Sequence, residues 1–434
     1  MSGKACRSCA PRVGIAYRPA DKTVIRLGYG LTNDPYSLAR ALRANHPVLL
    51  TLNFTAPNSL VAAGTLKNGL PTVTAPSLGN GVIDIAPNIA VSSALPEFER
   101  GYVQSWNLTV EREMFSGFTG QIGYIGTRQI RMLGYHDLNT GRIGGGNASR
   151  PFNQKFGRTV RTAAYGPIGN SIYDSFQTSL QKRFSSGYQM QASYTWSKSL
   201  GIANTANSDG DPNIKIPEYY HLNYGLAPIH TPHNFQLTSI IELPFGQGKR
   251  WANGGGTASA LLGGWQINNI VSLIAGQYFT VNASGTSLNA PDNTERADYA
   301  KEGKPTIIGG AGPNQSFFDP FFFKPLPLTD VRFGTSSFDS VQGPGTVNMD
   351  FGIFRNFRIS ERLQLQFRAE AFNLTNTPHF ANPPNAGRNV SNMILNPDNS
   401  IRSLGGYTVI NATKGTGREG VDERLFRFGV RLSF

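Results

Sequence analysis

Residues able to do chemistry are few and scattered in this sequence of 434 residues. Its two cysteines, Cys6 and Cys9, form a lone C-x-x-C near the start. A structural zinc site needs four ligands and a thioredoxin-type pair needs a βαβ setting; neither accompanies the motif. Six histidines follow, His46, His136, His221, His230, His233 and His379, all in or beside stretches that read as loops. His230 and His233 stand three apart with Pro232 between them, which is poor geometry for a helical metal pair. Asp209 and Asp211, in the run NSDGDPN, resemble the opening of a calcium loop, but the later ligands and the closing Glu are missing. No G-x-S-x-G elbow, P-loop or paired carboxylate on a recognisable scaffold is present. The sequence therefore predicts no enzyme, no catalytic residue, no cofactor and no metal. One further run stands out, Phe317–Phe323 (FFDPFFF), expected to pack rather than to line a substrate surface because exposed aromatic clusters are costly.

Bulk composition narrows the class. Charged residues make up 15% and aromatics 11%, a balance that argues against intrinsic disorder. The net charge of +13 comes from Lys and Arg spread over strands, turns and loops. No basic helix or dense cluster gathers them, so nucleic acid is not an expected partner. A wet lumen, exposed loops and anionic lipid headgroups are the fitting surroundings. No stretch approaches 18 consecutive apolar residues, which excludes a transmembrane helix. A transmembrane strand needs only about 9–11 residues of alternating character, and that signal survives a mean hydropathy of −0.26.

Such alternation runs through the chain. In Leu363–Ala371, Leu363, Leu365, Phe367, Ala369 and Ala371 share one parity, while Gln364, Gln366, Arg368 and Glu370 take the other. A strand separates these sets and a helix would mix them. Tyr188–Ser197 behaves likewise. Eleven strands are predicted: Arg12–Arg18, Thr23–Leu31, Gly101–Met114, Phe118–Arg128, Tyr173–Arg183, Tyr188–Ser199, Asn234–Leu243, Gly264–Gln277, Val347–Arg358, Leu363–Leu374 and Arg424–Phe434. Tight links at Pro19–Lys22, Phe115–Gly117, Phe184–Gly187 and Ile359–Arg362, and a longer one at Pro244–Gly263, alternate with long loops. The loops are Thr32–Arg100, Gln129–Ile172, Leu200–His233, Tyr278–Thr346 and Thr375–Glu423. Short periplasmic turns facing long extracellular loops are the habit of outer-membrane barrels.

Parity alone does not say whether the apolar face meets a core or lipid. The final strand leans towards lipid: Phe426, Phe428, Val430, Leu432 and Phe434 share one face and the chain ends on the last of them. An apolar aromatic terminus looks like the signal read by the barrel-assembly machinery. Eleven alternating strands also put the first and last in the same direction. A closed bacterial barrel is normally even-stranded and antiparallel, and open edges cannot persist in lipid. The expectation is an all-β, antiparallel transmembrane outer-membrane β-barrel that is partial. The lack of a secretory signal at Met1 points the same way, to a natural start upstream.

Specific segments carry a family resemblance. Glu242–Trp251 (ELPFGQGKRW) followed by Leu262–Val281 (LGGWQINNIVSLIAGQYFTV) resembles a hairpin of Oar-like TonB-dependent receptors, which carry a carboxypeptidase-regulatory-like domain. Leu363–Asn376 (LQLQFRAEAFNLTN) and Ala10–Gly30 (APRVGIAYRPADKTVIRLGYG) are similar to other barrel segments of that family, and Met1–Cys9 is least so. The resemblance implies that residues 1–434 are the C-terminal half of a 22-stranded, plugged barrel, a monomer when complete, in a Gram-negative outer membrane. It also implies substrate binding at the extracellular loops and uptake driven by TonB, which would act only through a missing N-terminal part. Without that part, the fragment is not expected to transport. A structural or adhesive outer-membrane barrel is the alternative, and a soluble secreted β-sandwich a third reading.

Overall fold

The computed structural model describes residues 9–33, 64–69, 79–80, 87–95, 99–202, 211–360, 362–414 and 423–434. Each of the eleven alternating stretches is a strand. They are β1 (Arg12–Ala20), β2 (Thr23–Asn33), β3 (Tyr102–Glu113), β4 (Phe118–Asp137), β5 (Thr162–Ser185) and β6 (Tyr188–Gly201), followed by β7 (His233–Glu242), β8 (Trp265–Ile274), β9 (Thr346–Arg358), β10 (Gln364–Phe372) and β11 (Leu425–Ser433). Together they form one antiparallel path in chain order. Among the described residues β1 pairs only with β2 and β11 only with β10, so the wall is open and its two edge strands run the same way. No described helix is long and apolar enough to cross a membrane.

The register carries the alternation across the sheet. One row joins Ile15, Leu27, Leu108, Tyr124, Phe176 and Trp196; further along, Ile353, Ala369 and Phe428 continue the same face. The opposite face carries a polar row of Glu111, Gln121, Ser179, Ser193, Gln236, Ser272 and Asn348. Hydrogen bonds cross this polar face, with Arg26 on Glu111 at 3.1 Å and Ser272 donating to Gln236 at 2.6 Å. The apolar row is left bare: Ile15 is 59% exposed, Trp196 58% and Phe428 72%. A soluble barrel would bury these side chains. Their surroundings are therefore hydrocarbon, which resolves the question that parity leaves open.

Local sequence sets the turns. At Ser186–Gly187 both residues have positive φ (53° and 83°), the geometry of a two-residue hairpin turn that matches strand twist. At the loop end the structure departs from expectation. β4 continues past Arg128 to Asp137, and β5 begins at Thr162 rather than Tyr173. The two-residue period is broken there by a bulge between Gln129 and Met132, where Arg131 takes φ 56°. Gly101 lets the backbones approach: a Cβ there would lie 2.4 Å from the Arg131 carbonyl. The loop predicted over Gln129–Ile172 is thus largely a hairpin rising above the wall, with a one-and-a-half-turn helix, α1 (Pro151–Phe156), at its tip.

The two faces should respond oppositely to charge. In the full-length protein, Leu108→Arg is expected to lower folding stability in lipid vesicles by about 2–4 kcal/mol in a urea titration, whereas Gln121→Arg, beside Glu111 on the other face, should cost far less. Equal costs would show that both faces see water.

Candidate functional site

The loop ends of the strands carry a packed body. Phe279, Val281, Phe317, Phe318, Phe322, Phe323, Val341, Val390, Tyr407 and Ile410 form one buried cluster drawn from residues 278–346 and 375–414. Four aromatics of the FFDPFFF run lie inside it, with Phe318 edge-on to both Phe323 and Tyr407. A second cluster joins Ile214 and Ile216 to Leu288, Phe333 and Phe338. The β4–β5 hairpin is tied in by backbone bonds from Gly144 to Leu288 and from Gly146 to Asn289, and by Arg150, which is buried and ion-paired with Asp292 at 2.5 Å. These loops are therefore neither independent nor structureless. Apolar residues far apart in sequence supply a core that no single loop contains.

Acidic side chains are buried in this body against hydrogen-bond donors, one of them in an ion pair. Asp298 accepts both guanidinium nitrogens of Arg332, at 2.9 and 2.7 Å, and this pairing holds its carboxyl below the usual range. Glu295 accepts the backbone N–H groups of Arg296 and Gly334, yet burial pushes its pKa up. Asp339 exchanges hydrogen bonds with Thr280, and burial pushes its pKa up to about 6. Between the top of β4 and residues 212–220 lies a cavity of about 470 Å³, lined by Tyr135, His136, Lys215 and Tyr220 among others. His136 stacks on Tyr220, and burial together with Asp211 raises the Tyr220 pKa, so its hydroxyl stays protonated.

The structure gives most of the singled-out residues structural partners. His136 donates to the Pro167 carbonyl at 2.6 Å and His379 to that of Val347 at 3.0 Å. His230 stacks on Tyr278 and accepts the Ser199 N–H, with burial lowering its pKa; His233 bonds Tyr194 instead. His221 lies in the 3-10 segment Pro217–Asn223. Asp211 forms a bidentate pair with Arg161. Cys9 is exposed, and Cys6, His46 and Asp209 lie outside the described residues. Among the described residues no three His, Cys, Asp or Glu side chains gather to hold a metal. On β11, Phe426, Phe428, Val430 and Leu432 line one exposed face, and Phe434 follows the strand, also exposed.

Sequence reasoning overlooked three cations that occupy the apolar parity of their strands near the short-turn end: Arg112 on β3, Lys182 on β5 and Arg355 on β9. Lys182 is buried, lies 3.9 Å over the Tyr188 ring and donates to the Ser185 carbonyl at 3.0 Å, so it bends towards its own turn. A break in the parity was the available signal.

An open antiparallel wall with one bare apolar face, one polar face and its long loops gathered at one end defines a transmembrane β-barrel of the outer membrane. The chain belongs to the outer membrane beta-barrel domain family, whose model matches residues 4–419. No curated relative matches the sequence significantly. Among solved structures it is similar to the outer membrane transporter YddB from Escherichia coli, with TM-score 0.46 and 8% identity over 95% of this chain and 38% of that one. Two others are the siderophore receptor PiuA from Acinetobacter baumannii (TM-score 0.41, 10% identity, 98% and 35% covered) and the ferripyoverdine receptor of Pseudomonas aeruginosa (TM-score 0.41, 10% identity, 98% and 32% covered). The chain thus spans less than two fifths of the length of these structures.

Two outcomes follow for the loop body. Phe318→Ala should cost about 3–5 kcal/mol locally, read as lost hydrogen-exchange protection in 278–346 and 375–414 while the wall strands keep theirs. For Asp339 the folded state binds its proton more tightly than the unfolded one. The body should therefore gain stability as pH falls from about 6 towards 4, and Asp339→Asn should remove that slope, worth on the order of 2–3 kcal/mol. A slope unchanged in the variant would assign it to other groups.

Proposed function

We propose that this chain is the C-terminal half of the 22-stranded barrel of a TonB-dependent receptor of the Oar-like type, which binds a substrate at its extracellular loop body for energised uptake. The observation that carries the reading is the open wall: eleven strands whose two edges run in the same direction. Backbone groups at those edges need partners in lipid, and an odd number of further strands would supply them with antiparallel pairing throughout. A preceding part of the same protein is the economical source, and with it come the plug and the segment that meets TonB. Family membership and the resemblance of residues 242–251, 262–281 and 363–376 support the same assignment. The loop body, with its cavity beside Tyr135 and Tyr220, is where a substrate would be held. In this reading the exposed face of Phe426, Phe428, Val430, Leu432 and Phe434 is what the barrel-assembly machinery engages. A structural or adhesive barrel is the second reading. It draws on the consolidation of the loops into one aromatic-cored body, which suits contact with a surface as well as capture of a solute.

The reading frame upstream of Met1 provides the test. It should stay open for several hundred codons and encode a signal peptide, a plug and about eleven more strands; a stop codon directly upstream would overturn the receptor assignment. In the full-length protein, removal of Phe434 should lower the yield of heat-modifiable barrel in outer membranes several-fold. An unchanged yield would remove the terminal strand from the assembly role.

A further inference from the structure

Arg355 occupies a costly position. It lies on the apolar face of β9, in series with Phe351, Ile353 and Phe357, yet it is only 7% exposed. Its cover is the helix α2 (Gly256–Leu262) in the connection between β7 and β8. The guanidinium donates to the Leu261 carbonyl at 2.9 Å and to the Ala260 carbonyl, and it lies 4.2 Å from the Phe357 ring centre and 5.1 Å from that of Trp265. Trp265 Nε1 donates to the same Leu261 carbonyl at 3.0 Å. These carbonyls end α2, where its dipole presents partial negative charge to a cation. The short helix is therefore clamped against the lipid-facing side of the wall at its short-turn end.

What α2 and its flanks present outward is apolar with a basic fringe. Leu261 is 67% exposed and Leu262 50%; Trp251, 48% exposed, packs on Phe245 and carries the Arg250 guanidinium 5.2 Å from its ring centre. The other connections at this end need two to five residues, whereas residues 243–264 supply far more chain than a turn requires. We propose that this connection is an interfacial anchor lying in the headgroup layer of the periplasmic phospholipid leaflet. Leu261 and Leu262 enter the acyl boundary, Trp251 sits at the level where amphipathic rings settle, and Arg250 faces the phosphates. The assignment rests on the wall being inserted in lipid. Continuity supports it, because Trp265 and Phe367, in edge contact beside the clamp, belong to the same bare face as the apolar belt.

Depth-dependent quenching tests it. The full-length protein, with its cysteines replaced by Ser, Cys6 and Cys9 among them, receives a single labelled cysteine at Leu261 or, as the belt reference, at Leu108, in vesicles of phosphatidylethanolamine and phosphatidylglycerol. A probe at 261 should be quenched at least twofold more by lipids bearing a quencher near the headgroup than by lipids quenching at the chain end. The probe at 108 should show the reverse. Quenching of 261 by aqueous iodide alone, with 108 still quenched by deep lipid, overturns the anchor and leaves the barrel reading intact. Failure of both probes to sense lipid overturns both. Arg355→Gln should at least double iodide access to the 261 probe with 108 unchanged; no change in access would sink the clamp.

Discussion

Backbone amides and carbonyls have no water to bond within a bilayer, and that constraint dictates the rest of this molecule. Strands meet it only by pairing, so every wall strand of the chain lies beside its neighbour in sequence through a short or a long connection. Pairing then places alternate side chains on opposite faces, and each face must suit a different solvent. The row from Ile15 to Trp196 suits hydrocarbon, and the row from Glu111 to Asn348 suits a wet lumen. The same constraint leaves β1 and β11 unfinished, since among the described residues each has one edge without a strand beside it.

Cations show how strictly the apolar face is kept. Lys182 and Arg355 both fall on it, and both are turned to carbonyl oxygens of the chain itself while aromatic rings cover their charge. Their place near the short-turn end keeps the cost of such charges low, because the penalty for a lipid-facing cation falls steeply towards the interface. Above the wall the solvent changes and so does the logic. There the aromatics turn inward, as Phe318 and Phe323 do, and Asp298 is buried against Arg332.

The strands and the rhythm of short and long connections were legible because a period of two is local. Leu363–Ala371 displays its faces without help from any other segment. Three things were not legible. The direction of the apolar face depends on the surrounding solvent, which parity does not record; the bare exposure of Phe428 and Trp196 records it. The upper parts of β4 and β5 resemble loop in sequence because the bulge at Arg131 shifts the register and hides the alternation on either side. The loop body was missed because its core is assembled at long range, as where Ser316 meets Thr408. Arg355 is legible by half: its parity break is visible in sequence, but the carbonyl that satisfies it belongs to Leu261.

The extended β4–β5 hairpin has a mechanical meaning. Beyond Arg128 and Tyr173 it continues for about nine further residues, and at roughly 3.3 Å each this is a mast of up to about 30 Å. Its tip is fastened to the other loops through Arg150 and Asp292, so the mast and the loop body brace one another like a strut and a deck. A force applied to the loops from outside the cell would be carried down two hydrogen-bonded strands into the wall rather than dissipated in slack chain. The cell surface thereby acquires a stiff platform held at a set height above the bilayer.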